Sequence, residues 1–351
     1  MKNPLLQKFE TPHEAIPFNE IKNEHFIPAL KESIQIALSE IDTLVQQTEA
    51  PTFENTLKRL DDCGELVSRV SSILFNLNSA ETSAELQQIT QEAAPLLTQF
   101  QNDIRLNETL FERIKTVYET ANREVLTPEE NTLLEKEYKG FVRNGALLTA
   151  EEKENLRKID TSLAQLSLQF GQNVLADTQA FSLHLTNSED LKGLPENVIE
   201  MAAALALQKN LEGWLFTLDY PIYVPFNTYA ENRALRKKMV LAFGSRGFQE
   251  NPQNNLENIK QIISLRKKRA ALLGYSSHAA FVLEERMAKS EQEALRFLEE
   301  LYEKALPAAQ QEWKELEAFA THLGLSSLEQ WDTAFVSEKL VLFKESRSVS
   351  P

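Results

Sequence analysis

The side chains that most often hold a metal or relay a proton are sparse in this chain. Its histidines are His13, His25, His184, His278 and His322, and no two of them have the spacing of a metal site or a catalytic triad. A helical zinc motif of the form H-E-x-x-H needs two imidazoles one turn apart, so that both point at one ion. The nearest approach is His13-Glu14-Ala15-Ile16-Pro17, where a proline stands in place of the second histidine. Pro12 and Pro17 also argue against a helix there, so His13 reads as a loop residue. Cys63 is the sole cysteine; it allows no internal disulfide and suits a reducing compartment. The carboxylate pairs Asp61-Asp62 and Glu284-Glu285 are adjacent in sequence, and neighbours on a helix point about 100° apart, too far to share a substrate. They read as solvated surface, as do Glu299-Glu300 and Glu312 with Glu315. The residues therefore offer no catalytic group and no metal ligand, and the substrate-binding residues are unknown at this level.

The elements that would carry any site are helical. A count of 10 glycines in 351 residues, with frequent Leu, Glu, Gln and Ala, favours long helices over a turn-rich sheet. Apolar residues recur every three or four positions in Leu30, Ile34, Leu38, Ile41 and Val45, a stripe that Glu49-Ala50-Pro51 closes. A second stripe runs from Phe53 through Leu57, Leu60, Val67 and Val70 to Leu77; a third runs from Leu86 through Ala93 to Ile104, with Pro95 expected to kink it. Thr127-Pro128-Glu129-Glu130, Thr149-Ala150-Glu151-Glu152 and Ser290-Glu291-Gln292-Glu293 read as capping boxes, and Gly145, Gly244, Gly274 and Gly324 as helix stops. One region changes period. Phe181 to Thr186 and Trp214 to Tyr220 alternate apolar and polar residues, which predicts two short strands with a helix between them and His184 on the polar face. The chain thus divides into a helical region over 1–180, a short-strand segment with a connecting helix over 181–230, and a second helical region over 231–351.

Bulk charge narrows the partners. With 52 acidic against 37 basic residues the formal charge is -15, which repels nucleic acid and anionic membrane surfaces. Neither is an expected partner. The N-terminus turns polar too early for a signal-peptide core, and no window is apolar for the length of a membrane span. A cytoplasmic location is the expectation.

The order of several short blocks says more than any one of them. Ala15-Ile16-Pro17-Phe18, His25-Phe26-Ile27-Pro28-Ala29-Leu30 and Pro51-Thr52-Phe53-Glu54-Asn55-Thr56 are followed by Leu191-Lys192-Gly193-Leu194-Pro195, Tyr220-Pro221, Pro225-Phe226 and Asn232-Arg233-Ala234-Leu235-Arg236. Leu265 to Tyr275, Met287-Ala288-Lys289 and Trp331-Asp332 complete the series. In this order the chain resembles the N-terminal portion of the zinc metallopeptidase family of thimet oligopeptidase, oligopeptidase A and peptidyl-dipeptidase. Two departures stand out: Asn254-Asn255 replaces a common Asp-Asn, a change expected to alter a helix cap and little else, and the likeness fades after Ser337-Glu338-Lys339-Leu340 into a short tail ending at Pro351.

The resemblance implies a mostly α fold, the multi-helix N-terminal part of a two-lobed helical oligopeptidase, with one small β-sheet or hairpin. It implies a truncated chain that lacks the zinc-binding catalytic region, forms a wall of a channel for short peptides, and is inactive alone. One zinc belongs to the full-length family and none to this chain; the partners implied are short peptides and the missing C-terminal catalytic half. Peptidyl-dipeptidase and endopeptidase action are not distinguished. The competing reading is a free-standing helical scaffold or peptide-binding module without catalysis.

Overall fold

A computed structural model describes residues 3–348; the last residues of the tail, Val349-Ser350-Pro351, lie outside them. The protein is mostly helical with one two-stranded antiparallel sheet. It divides into two compact units, residues 1–169 with 260–281 and residues 170–259 with 282–351.

In the first unit, α1 (Asn23–Val45) follows the predicted stripe and buries Phe26, Leu30, Ile34, Ile41 and Leu44. It ends before the expected Glu49-Ala50-Pro51 stop. The second stripe is not one helix. A π-helical turn (Phe53–Lys58) and the short α2 (Arg59–Asp62) lead to Gly64, whose φ of 84° breaks the chain before α3 (Glu65–Ala80). The Pro51 to Thr56 block is a helix entry: Thr52 and Asn55 cap one another, and the buried Arg113 donates to the Gln47 carbonyl at 3.1 Å and to Asn55 Oδ1 at 3.3 Å. α4 (Ala84–Arg105) passes through Pro95, which removes one intrahelical donor without ending the helix.

Then come α5 (Glu108–Thr120), α6 (Pro128–Arg143) and α7 (Ala150–Ala180), which gives residues 150–169 to this unit. The Thr127 and Thr149 capping boxes form in both directions, to Glu130 and Glu152. α1 packs against α3 and α4 around Leu30, Val70, Leu74 and Ala93. A second core gathers Leu57, Leu110, Ile114, Leu134 and Phe141. Burial of one such leucine stabilises the fold by about 1.5–3 kcal/mol.

The second unit holds β1 (Leu183–Leu185), α8 (Glu196–Gln208) and β2 (Trp214–Phe216). The strands pair Leu183 with Phe216 and Leu185 with Trp214. They are shorter than the alternation predicted. Tyr220 opens α9 (Tyr220–Tyr229) instead of ending β2, because Pro221 at the first turn sets a helical φ. Both Leu215 and Phe216 are buried, since α8 packs on β2.

Next are α10 (Arg233–Gly244) and α11 (Leu256–Leu272), whose residues from 260 on belong to the first unit, and α12 (His278–Leu283). Gly145, Gly274 and Gly324 take positive φ as helix stops, but Gly244 is the last helical residue and Gly247 takes the left-handed turn instead. α13 (Glu291–His322) and α14 (Thr333–Ser348) complete the second unit. Ser290 caps Glu293 N–H, while the Glu293 carboxylate turns to Arg296, so the box is half made.

Candidate functional site

The histidines are dispersed, and each described contact is structural. His13 sits in a short turn with φ 59°. His25 Nδ1 accepts from the Lys22 backbone N–H at 3.0 Å and closes the start of α1. His184 points outward between buried Leu183 and Leu185, and its Nε2–H donates to the Glu212 carbonyl at 2.6 Å. Burial, with Arg266 and Arg269 adding to it, lowers the pKa of His278 and favours its neutral form. His322 lies 5.7 Å from the Phe319 ring and 5.8 Å from Phe343. Among the described residues no three His, Cys, Asp or Glu side chains gather as a metal-holding group. The described side chains thus do not form the donor set of a zinc centre.

The tightest charged cluster joins two of the blocks that carry the resemblance. Asp332, wholly buried, accepts from Arg233 Nε and Nη2 at 3.0 and 2.7 Å and from Arg236 Nη2 at 2.8 Å. Arg236 also donates to the Trp331 carbonyl at 3.1 Å and to the Ala230 carbonyl at 2.8 Å. Burial pushes the Asp332 carboxyl upward, but hydrogen bonds from both arginines and from Glu329 N–H outweigh it and hold the pKa below the usual carboxylate value. Each nitrogen of the buried Arg236 guanidinium faces an acceptor, so the cluster is a clasp between the start of α10 and the start of α14. Asn255 is a second such point in this unit: Asn173 Nδ2 donates to its Oδ1 at 2.9 Å and its Nδ2 reaches the Phe170 carbonyl at 3.1 Å. The departure itself is at Asn254, which forms the expected cap, its Oδ1 accepting from Leu256 N–H, while Asn255, the residue common to both patterns, makes the buried clamp.

The first unit contains a polar cavity of about 530 Å³ between α2, α4, α6, α7 and α11. Its wall carries two ion pairs, Arg105 with Glu137 at 2.6 Å and Arg269 with Asp160 at 2.7 Å. Arg269 Nη2 also donates to Asn144 Oδ1 at 3.0 Å. Arg105 lies 4.8 Å over the Phe141 ring, and a Cβ on Gly140 would come within 3.2 Å of its Nη1. Cys63 lines the same cavity; burial, then Glu40 and Asp62, push its thiol up to about 11. Asn102, 7% exposed, has an amide nitrogen without a partner.

The second unit presents an apolar surface. Over residues 291–314 of α13 every side chain is exposed except Ala294 and Leu306, which are half-buried. Leu295, Leu298, Leu301 and Tyr302 are 58, 57, 54 and 62% exposed and line one side of the helix. Residues 328–343 are covered instead: Leu328, Phe335, Val336, Leu340 and Phe343 pack with Phe319 and Ala320 in a small core, and α14 also packs against α9. Only Val341 and Leu342 of that stretch remain as large exposed apolar side chains. No helix among the described residues is long and apolar enough to cross a membrane.

Residues 226–348 match the sequence profile of peptidase family M3. The chain is 32% identical over 344 residues to oligopeptidase A of Escherichia coli K12, covering 97% of this chain and 50% of that protein. It is also 32% identical over 340 residues to the dipeptidyl carboxypeptidase of the same organism, covering 96% and 50%. A thimet-like oligopeptidase of Dictyostelium discoideum is 26% identical over 272 residues, covering 76% of this chain and 39% of that protein. The chain spans about half the length of the curated relatives it matches. The Asp332 clasp and the bare face of α13 both lie inside the stretch that matches the family.

Proposed function

We propose, from the premise that the chain belongs to peptidase family M3, that it is the non-catalytic portion of a zinc-dependent oligopeptidase or peptidyl-dipeptidase. Its role is to build a wall of the channel that admits short peptides, in the cytoplasm. The observation that carries this reading is the bare apolar face of α13 in a chain that corresponds to about half of the oligopeptidase A and dipeptidyl carboxypeptidase it matches. A helix with about two dozen solvated residues gains little from propensity alone and normally owes its stability to a packed face. Exposed apolar side chains in a row mark a surface meant to be covered. The remaining half of the enzyme is the cover this reading supplies, and the zinc ligands would come with it. This chain's own residues would position peptide and exclude water.

The test is co-expression of this chain with the part of oligopeptidase A that it does not match, followed by purification and a peptide-cleavage assay. Co-purification with chelator-sensitive cleavage above that of the added part alone supports the reading. A chain that remains a monodisperse monomer and ignores that partner overturns it in favour of a free-standing helical scaffold.

A further inference from the structure

The geometry points to the chemistry of the surface that covers α13: an apolar groove of two walls, with a lysine or arginine set to meet Glu312. The inference rests on the channel-wall reading, in which the remaining half of the enzyme is the cover, and says what that half brings. Successive helical residues turn by about 100°, so from Phe297 through Leu301, Leu298 and Tyr302 to Leu295 the exposed apolar side chains sweep about 160° of the helix. A stripe of about 100° is enough to pack a surface helix on one side. The wider arc calls for contact from two sides.

Glu312 stands inside that arc. It follows Leu301 by eleven residues, about three turns, and precedes Leu316 by four, so it shares their face. It is exposed, and among the described residues no cation or donor reaches its carboxylate. The established interface of α13 shows how the same face is covered one turn further on. There α14 packs Leu340 and Phe343 with Leu316 and Phe319, and its Lys344 reaches Glu315 at 2.7 Å. Apolar contact and a matched cation come from one covering helix. Toward the N-terminus the face continues bare, and Glu312 is the next carboxylate on it.

The charge balance points the same way. Residues 291–314 carry six glutamates against three cations, and Arg296 is already held by Glu293 and Glu300, each at 2.6 Å. A carboxylate closed under an apolar cover without a cation opposes association, because it loses its water and gains no partner. A purely apolar or an acidic cover is therefore disfavoured. A second copy of this face, which brings the same excess of glutamate, is disfavoured with them.

The test is co-expression of the tagged full chain with the part of oligopeptidase A that it does not match, reading how much of that part the tag retains. Glu312→Lys is expected to lower retention at least tenfold. Glu303→Lys makes the same change of net charge nine residues away, on the opposite side of the helix, and is expected to stay within twofold. Phe297→Ser and Leu295→Ser, at the two edges of the arc, are each expected to lower retention at least fivefold. All four positions are exposed, so the free chain keeps its fold, which circular dichroism checks. No retention by the unaltered chain overturns the channel-wall reading, and this inference with it. Retention by the unaltered chain with equal effects of Glu312→Lys and Glu303→Lys overturns the matched cation alone, and a loss at only one edge of the arc overturns the two-walled groove.

Discussion

Along α1, the apolar residues Phe26, Leu30, Ile34 and Ala37 lie against α3 and α4 and are buried, whereas along α13 Leu295, Leu298, Leu301 and Tyr302, spaced in the same helical way, are each more than half exposed. The two helices share pattern and solvent-facing charge. They differ in what the rest of the chain places beside them. The neighbours of α1 come from elements within residues 4–120, close in sequence. Among the described elements α13 packs on α14, through its last turns at Phe319 and Ala320. An amphipathic stripe therefore shows that a partner surface is needed, and says nothing of where the partner comes from.

The largest effect should come from loosening what holds the end of α13. Asp332 fixes the start of α14, so Asp332→Ala leaves Arg236 buried without its carboxylate and is expected to cost about 3–5 kcal/mol in denaturant unfolding. A loss below about 1 kcal/mol would mean that the clasp does not anchor α14. The sign of its pH dependence follows from a depressed folded pKa. Its contribution is fully present above the unfolded value near about 4 and is lost as the pH falls through the lower folded value; Asp332→Ala should remove that slope.

Next in size is a matched pair that tests the two helices directly. Leu30→Ala, in a fully buried position, is expected to cost about 2–5 kcal/mol. Leu298→Ala should stay within about 0.5 kcal/mol. Amide exchange should follow the same order, slow in α1 and fast over residues 291–314. Equal losses at the two leucines, or slow exchange in α13 that depends on protein concentration, would mean that a second copy of the chain covers the face.

The smallest effect leaves stability untouched and reads the packed side alone. With its thiol pushed up to about 11, Cys63 should alkylate slowly at neutral pH, and its rate should rise about tenfold per pH unit from 8 to 10. A rate already level at pH 9 would show that the Cys63 environment is more open than its half-buried setting beside Glu40 and Asp62.

The capping boxes at Thr127 and Thr149, the long helices and the two short strands around His184 and Leu215 are legible in the sequence because each depends on residues within a few positions of one another, whereas the antiparallel pairing of those strands joins distant residues and was not. The break at Gly64 inside an unbroken apolar stripe and the early end of β2 were not, since a continuous pattern leaves open where the helix axis turns. The cavity was invisible too. Asp61 reads as surface and is exposed in the structure, but only the fold brings α2, α4, α6, α7 and α11 around one space.

What the sequence by itself determined is the helical class, the small sheet, the lack of clustered histidines and, through the order of its short blocks, the kinship with peptidase family M3. Those properties follow from local bonding and composition. Tertiary structure alone decided that Arg233 and Arg236 meet Asp332 across nearly a hundred residues, that Asn102 keeps an unpaired amide beside a polar cavity, and that residues 328–343 are covered while the first part of α13 is not. The physical reason is that burial and charge pairing depend on which surfaces meet, and residues far apart in the chain carry no local mark of their eventual neighbours.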